Sequence, residues 1–347
     1  MTVMIPFRSA YGPFLLTVSL VATACDGTGP GDGSRSVPEL VFLERDGASG
    51  QWSVRGRTAD GGSLEVAPGP DDAPRPSGMD LLVRPTTGQL LYATADLDDA
   101  GYALLDPVSG EARGLDLPGP ALGWSPRGDR LTAVVDQSVV VLTLDGRVQR
   151  TICGPPAICG IPAWTPDGEA VAISRSTAGG KPDVWRVSLS DGGETNVTGT
   201  APASETHPAW SPDGASIAYY QDEDLQLIVA NADGSEPRRL FAPISPDDPA
   251  WQPAGGALAV RGTLDGELGL VRVPLSGMPS LITPSGDRPE DAAGIQWSPS
   301  GDRLVFLTTA TGEPTYPAVV SIRVDGSDRR PLSRPGNTAS HPAWIPR

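Results

Sequence analysis

Only two histidines occur in the 347 residues, His207 and His341, and each stands in the same tetrapeptide, His-Pro-Ala-Trp. Imidazole changes charge nearest to neutral pH, so it is the usual general base and the commonest metal ligand. A catalytic or structural metal needs three or four convergent ligands, which two histidines do not supply alone. Acyl-transfer chemistry would need a serine on a strained turn, and no Gly-x-Ser-x-Gly occurs. Of the three cysteines, Cys153 and Cys159 flank a Gly-Pro-Pro loop in TICGPPAICG. No further Cys or His lies near them, so a disulfide of structural role is favoured over a metal pair. The third, Cys25, sits near the start of the chain.

The elements that must position these residues are repeats. The stretch PAWSPDGASIAYY around Trp210 has close copies at Trp124, Trp164, Trp251 and Trp297, a degenerate copy with Val83 in the Trp position, and a last one at Trp344. Each is an apolar residue and Trp running into Ser-Pro-Asp-Gly, then a short alternating strand. Proline fixes φ and glycine accepts φ > 0, so the motif reads as a hairpin turn. A second alternating run follows each hairpin (Val139–Leu144, Val184–Leu189, Leu227–Ala230, Leu268–Val273, Ala318–Val324), then a turn and a short fourth run. No segment keeps a 3.6-residue apolar period. Four antiparallel strands repeated in this way predict a β-propeller.

The ends predict closure. Glu39–Asp46, Gln51–Arg57 and Ser63–Ala67 read as the second, third and fourth strands of a unit, and the segment at Trp344 reads as the missing first strand. Joined, they make one blade and remove an open sheet edge. The count is then seven blades over residues 38–347, about 44 residues each.

The W-S-P-D-G hairpin, with its following strand and the Asp-Gly turn before Arg238-Arg239-Leu240, resembles the TolB-type propeller repeat. The resemblance covers essentially all of 38–347 and implies the propeller fold. It leaves function open, since one fold hosts many activities. TolB itself is a periplasmic protein whose propeller has six blades behind a small α/β domain, and this chain departs from that plan. Similar repeats occur in prolyl-oligopeptidase-like enzymes and in the metal-dependent oligogalacturonate lyase, which uses several histidines.

Residues 1–24 look like an export signal. Arg8 precedes the apolar run Pro13 to Ala24, which is too short to span a bilayer, and Ala22-Thr23-Ala24 fits a small-residue cleavage pattern. Cys25 then resembles the acylated cysteine of a bacterial lipoprotein, although Ala22 stands where Leu is usual. Plain secretion and a retained anchor are the alternatives. Residues 25–37 follow as a Gly-rich tether. The expected location is the cell envelope, with membrane contact only through the lipid.

A formal charge of −16 counts against a nucleic-acid partner and leaves cationic ones open. Three residues before each Trp position the ring reads Asp80, Ala121, Ile161, His207, Asp248, Gly294, His341, with Glu205, Asp247, Glu290 and Asp291 beside it. This register places the set at the start of the innermost strands, on one face. His207 and His341 fall three blades apart, too far to share an ion through bonds of ~2 Å. The recurring Trp reads as inter-blade packing and the Asp of the turn as a turn residue. Asp80, Glu205, His207, Asp247, Asp248 and His341 form either a solvated acidic rim or a rim that binds a protein or basic peptide. The sequence therefore predicts a non-catalytic envelope binding or scaffold module without a cofactor. The alternatives are a divergent lyase or hydrolase and a purely structural component of an envelope complex.

Overall fold

The structure is a computed structural model that describes residues 38–59, 61–68, 81–93, 101–176, 180–199, 203–222, 225–244, 248–284, 287–289, 295–310 and 317–346. Cys25, Asp80, Asp247, Glu290 and Asp291 lie outside the described residues. Every element among the described residues is a β-strand, and the strands fall into seven antiparallel sheets of at least four strands, the blades of a propeller.

Blade 1 holds Leu81–Val83, Leu90–Ala93, Tyr102–Leu105 and Ala112–Leu115, from the channel outward. Blade 2 holds Ala121–Trp124, Arg130–Val135, Ser138–Thr143 and Val148–Cys153. Blade 3 has an inner strand in two pieces, Ile158–Cys159 and Ala163–Trp164, then Ala170–Ser176, Asp183–Ser188 and Glu194–Asn196. Blade 4 holds Glu205–Trp210, Ser216–Gln221, Gln226–Asn231 and Arg238–Phe241, and blade 5 holds Ala250–Trp251, Ala257–Leu264, Glu267–Pro274 and Ser280–Leu281. In blade 6, Asp287–Pro289 and Gln296–Trp297 precede Arg303–Ala310, Ala318–Arg323 and Arg330–Pro331.

Blade 7 is the composite one. Thr338–Trp344 pairs with Leu40–Arg45, followed by Trp52–Arg57 and Ser63–Pro68. Leu40 lies opposite Trp344 and Arg45 opposite Thr338. The closure expected from the sequence is thus formed.

Strand alternation explains why the ring holds. Successive side chains point to opposite sheet faces, so a strand buried on both faces serves two neighbours. Val41 and Leu43 pack with Leu81, Leu90 and Tyr92 of blade 1, while Leu40 and Phe42 pack with Val305 and Val319 of blade 6. Each of the seven seams between blades contains one such buried apolar cluster.

The Ser-Pro-Asp-Gly turn is built as its chemistry suggests. Ser211 Oγ donates to Asp213 at 2.6 Å and accepts from the Ser216 amide at 2.9 Å, while Asp213 also accepts from the Ala215 amide at 3.0 Å. Gly214 takes φ 71°, which its missing Cβ permits. The Ser211 hydroxyl and then the Ala215 amide hold the Asp213 carboxyl below its usual range. Where Arg127 and Ser300 replace the aspartate, the carboxylate moves on: Asp129 and Asp302 accept from Ser125 and Ser298 at 2.8 and 3.1 Å.

Cys153 and Cys159 form the expected disulfide, with Cα atoms 5.9 Å apart. It ties the outermost strand of blade 2 to the innermost strand of blade 3.

Candidate functional site

Both His-Pro-Ala-Trp segments break their strand in the same way. Thr206 lies opposite Tyr220 and Ala209 opposite Ala218, so His207 and Pro208 together face Tyr219. In blade 7, Ser340 lies opposite Leu43 and Ala343 opposite Val41, so His341 and Pro342 together face Phe42. Two residues against one is a β-bulge, and proline, which cannot donate to the ladder, belongs at one. His207 and His341 take φ 51° and 50°, in the left-handed region that histidine enters more readily than most side chains. The His207 ring meets Tyr220 edge-on, 6.1 Å between centroids at 69°, and its Nδ1 is buried without a hydrogen-bond partner.

Glu205, expected on the rim, is instead fully buried as the first residue of its strand. Its amide donates to the Pro182 carbonyl of blade 3 at 2.8 Å, which holds it in the seam between blades 3 and 4. Burial pushes its carboxyl up from 4.5 to about 7; Asp183 and Asp222 push the same way, against the hydrogen bond from Gln221. One oxygen accepts from Gln221 Nε2 at 3.4 Å, and the other is buried with no partner. Burial therefore favours the neutral carboxyl far more than in an exposed glutamate. A sequence signal for this existed: five residues before Trp, the other blades carry Gly119, Cys159, Pro246, Ala292 and Ala339, and only Glu205 is charged.

Asp248 lies half-buried just before Ala250–Trp251, on the blade next to His207. His207, Asp248 and His341 thus share the face carrying the fourth-to-first-strand connections. Among the described residues no three His, Cys, Asp or Glu side chains converge to hold a metal ion.

The opposite face carries the tryptophan girdle. Trp251 Nε1 donates to the Ala209 carbonyl at 3.0 Å, Trp297 to Ala250 at 2.9 Å and Trp344 to Gln296 at 3.4 Å. Each acceptor is the residue just before the Trp of the preceding blade. The indole nitrogens of Trp124, Trp164 and Trp210 are buried without an acceptor. Arg84 and Arg130, from the preceding blades, lie over the Trp124 and Trp164 rings at 5.6 and 5.4 Å. Packing is thus the role of the rings, as the sequence suggested, with arginines lying over two of them. A cavity of about 440 Å³ among Leu82, Trp124, Trp297 and Trp344 opens at this end of the channel. A second, of about 430 Å³, lies between blades 3 and 4 among Asp167, Arg186, Trp210 and Asp213.

Comparison with known proteins places this geometry. The TolB beta propeller domain matches residues 119–347. TolB from Acinetobacter baumannii superposes with a TM-score of 0.52 at 16% identity, over 89% of this chain and 67% of that one. An oligogalacturonate lyase in complex with manganese gives 0.59 at 15% identity, over 86% of both chains. Puromycin hydrolase gives 0.62 at 17% identity, over 86% of this chain but 53% of that enzyme. At such identities the likenesses establish the fold and no activity.

Proposed function

The chain belongs to the TolB beta propeller domain family, and from that premise we propose that it is a non-catalytic cell-envelope propeller that binds a protein partner or basic peptide. The face carrying the fourth-to-first-strand connections is the binding face. The observation that carries this reading is the pair of matched bulges. Left-handed backbone at a non-glycine residue costs on the order of 1 kcal/mol or more and persists where the surroundings enforce it, often at functional sites. Of the eight described non-glycine residues with positive φ, only His207 and His341 lie inside strands, at matching positions of blades 4 and 7 and on the same face.

The rim on this reading comprises His207, Asp248 and His341, with Asp80 and Asp247 completing it and Glu205 acting from beneath. The chain has only two histidines, on separate blades, which supports binding over metal-dependent lyase chemistry. Acylation of Cys25, with residues 25–37 as tether, would hold the propeller at a membrane of the envelope.

The test is a cross-linked pull-down from the native envelope with the wild type and a His207→Asn/His341→Asn variant. Asparagine tolerates positive φ, so the bulges are kept while both imidazoles go. Loss of the captured partner with unchanged thermal unfolding is expected. Equal capture by both proteins would remove the rim from the function. Cys25→Ser should in parallel release the protein from membranes with the propeller still folded.

A further inference from the structure

The binding face has an apolar part that the histidine rim does not account for. From Thr151 to Pro166 the chain runs sixteen residues without a charge, although the protein carries −16 overall. This run connects blade 2 to blade 3 and leaves Ile158 77% and Ile161 44% exposed. Ile244 sits in the corresponding connection from blade 4 to blade 5 and is also 44% exposed. These side chains therefore stand on one face, on the two blades that flank Glu205 and His207.

The loop under Ile158 is fixed at several points. The Cys153–Cys159 disulfide closes it, Ile158 and Cys159 pair with Ser176 and Arg175, and the Gly160 amide donates to Ser174 at 2.9 Å. An exposed isoleucine on a pinned loop binds without the ordering cost that weakens mobile ones. On this face the turns from second to third strand present exposed Asp136, Asp222 and Asp265 in blades 2, 4 and 5, and Lys181 in blade 3.

The point of chain entry decides what covers this surface. Leu40 pairs with Trp344 at the turn end of blade 7, so Pro38 enters the propeller on the opposite face. A membrane tether reaching Pro38 would approach from that side. A second copy would bring a further −16 and the same aspartates, which repel.

We propose that Ile158, Ile161 and Ile244 form the apolar centre of a docking surface for a protein segment that combines apolar side chains with lysine or arginine. The proposal rests on the binding-module reading and names the chemistry of its partner. Apolar contact supplies the affinity, and Asp136, Asp222 and Asp265 supply steering that salt screens.

The probe is a fluorescent amphipathic Leu/Lys helical peptide, compared with a Leu/Glu peptide of the same pattern and with phosphatidylglycerol vesicles, against the full chain. The Leu/Lys peptide should bind, and Ile158→Ser/Ile161→Ser/Ile244→Ser should weaken it at least tenfold. Val108→Ser/Met278→Ser, which alters the 43% and 86% exposed residues of the other face, should change it less than twofold. Cys153→Ser/Cys159→Ser should weaken it several-fold by freeing the loop. No binding, equal binding of the Leu/Glu peptide, capture by the vesicles, or an isoleucine variant that binds like wild type would each overturn the proposal. If His207→Asn/His341→Asn abolishes binding and the isoleucine variant does not, the rim reading stands and this one falls.

Discussion

Blade 7 is assembled from the two ends of the chain, whereas blades 3 and 4 follow each other without a break; their buried polar groups are satisfied differently. At the closure, the Ile345 amide donates to the Glu39 carbonyl at 2.8 Å and the Ala339 amide to Pro317 at 2.9 Å. The Trp344 indole reaches Gln296, and the Arg334 amide donates to the buried Glu44 carboxylate at 2.7 Å. Between blades 3 and 4 the Glu205 amide likewise donates to the Pro182 carbonyl at 2.8 Å, but the Trp210 indole and one Glu205 oxygen are buried without partners. Two cavities, of about 430 and 230 Å³, lie in that seam. The junction inside blade 7, between Thr338–Trp344 and Leu40–Arg45, has no covalent link and is held by contacts alone. One bridged by the chain tolerates looser packing, and local opening concentrates where contacts are few. The seam with the two cavities and the unmet Glu205 oxygen is also the one under His207, on the face assigned to binding.

The largest effect should come from breaking the closure. Truncation after Ser340 removes the bulge, buried Ala343 and Ile345, and the pairing of Val41 and Leu40 with Ala343 and Trp344. Loss of that inner strand should cost on the order of 5 kcal/mol or more, since several buried groups go together. A truncated protein melting within a few degrees of wild type would show that the closure carries little.

The next effect sharpens the contrast from the other side. The Glu205 carboxyl is raised from 4.5 to about 7 in the folded protein, chiefly by burial. Between those values the native state binds more protons than the unfolded chain, so stability falls as pH rises. The stabilisation from the neutral carboxyl is complete below about 4.5 and lost above about 7. Glu205→Gln keeps the shape and cannot ionise. It should raise stability by about 3 kcal/mol at pH 8 and leave it nearly unchanged at pH 4. Chemical denaturation at the two pH values measures this, and a gain of equal size at both would refute ionisation as the cause.

Much of this architecture was legible because its signal repeats. The Trp and Ser-Pro-Asp-Gly spacing marks every hairpin, and the missing first strand at one end matches the spare one at the other. Glu205 was misplaced because its register number, near the start of an inner strand, says nothing about which way the side chain leaves the backbone. A strand residue turns to the opposite face with a shift of one, and the His207 bulge lies within two residues. The partners of Arg84 and Arg130 are illegible in the sequence for a related reason. Their rings belong to the next blade, and no single repeat contains both partners. The exposure of Ile158 depends on how the loop after Cys153 is bent.

The disulfide gives a smaller effect. Its six-residue separation closes a short loop, so loop entropy predicts about 2 kcal/mol for Cys153→Ser/Cys159→Ser. The loss should be local: amide exchange should quicken around Ala157 to Gly160 and leave the Trp344 strand unchanged. Faster exchange throughout the ring would mean that the bridge secures the fold and not only the loop.

The smallest effect separates the two halves of the girdle most directly. Phenylalanine in place of tryptophan keeps an aromatic ring and removes the indole N–H. In Trp297→Phe the Ala250 carbonyl loses its 2.9 Å donor, and both the hydrogen bond and packing are lost. In Trp210→Phe the group removed is a buried donor without an acceptor, so the packing loss is offset by relief of an unmet polar group. An unsatisfied buried group costs about 1–3 kcal/mol and a hydrogen bond contributes about 1 kcal/mol net, so the two substitutions should differ by at least about 1 kcal/mol. Trp297→Phe should be the more damaging, although both rings are buried to the same degree, 7% and 8% exposed. Equal losses would mean that ring packing alone sets the strength of the girdle, and the contrast between the seams would then rest on Glu205 and the cavities.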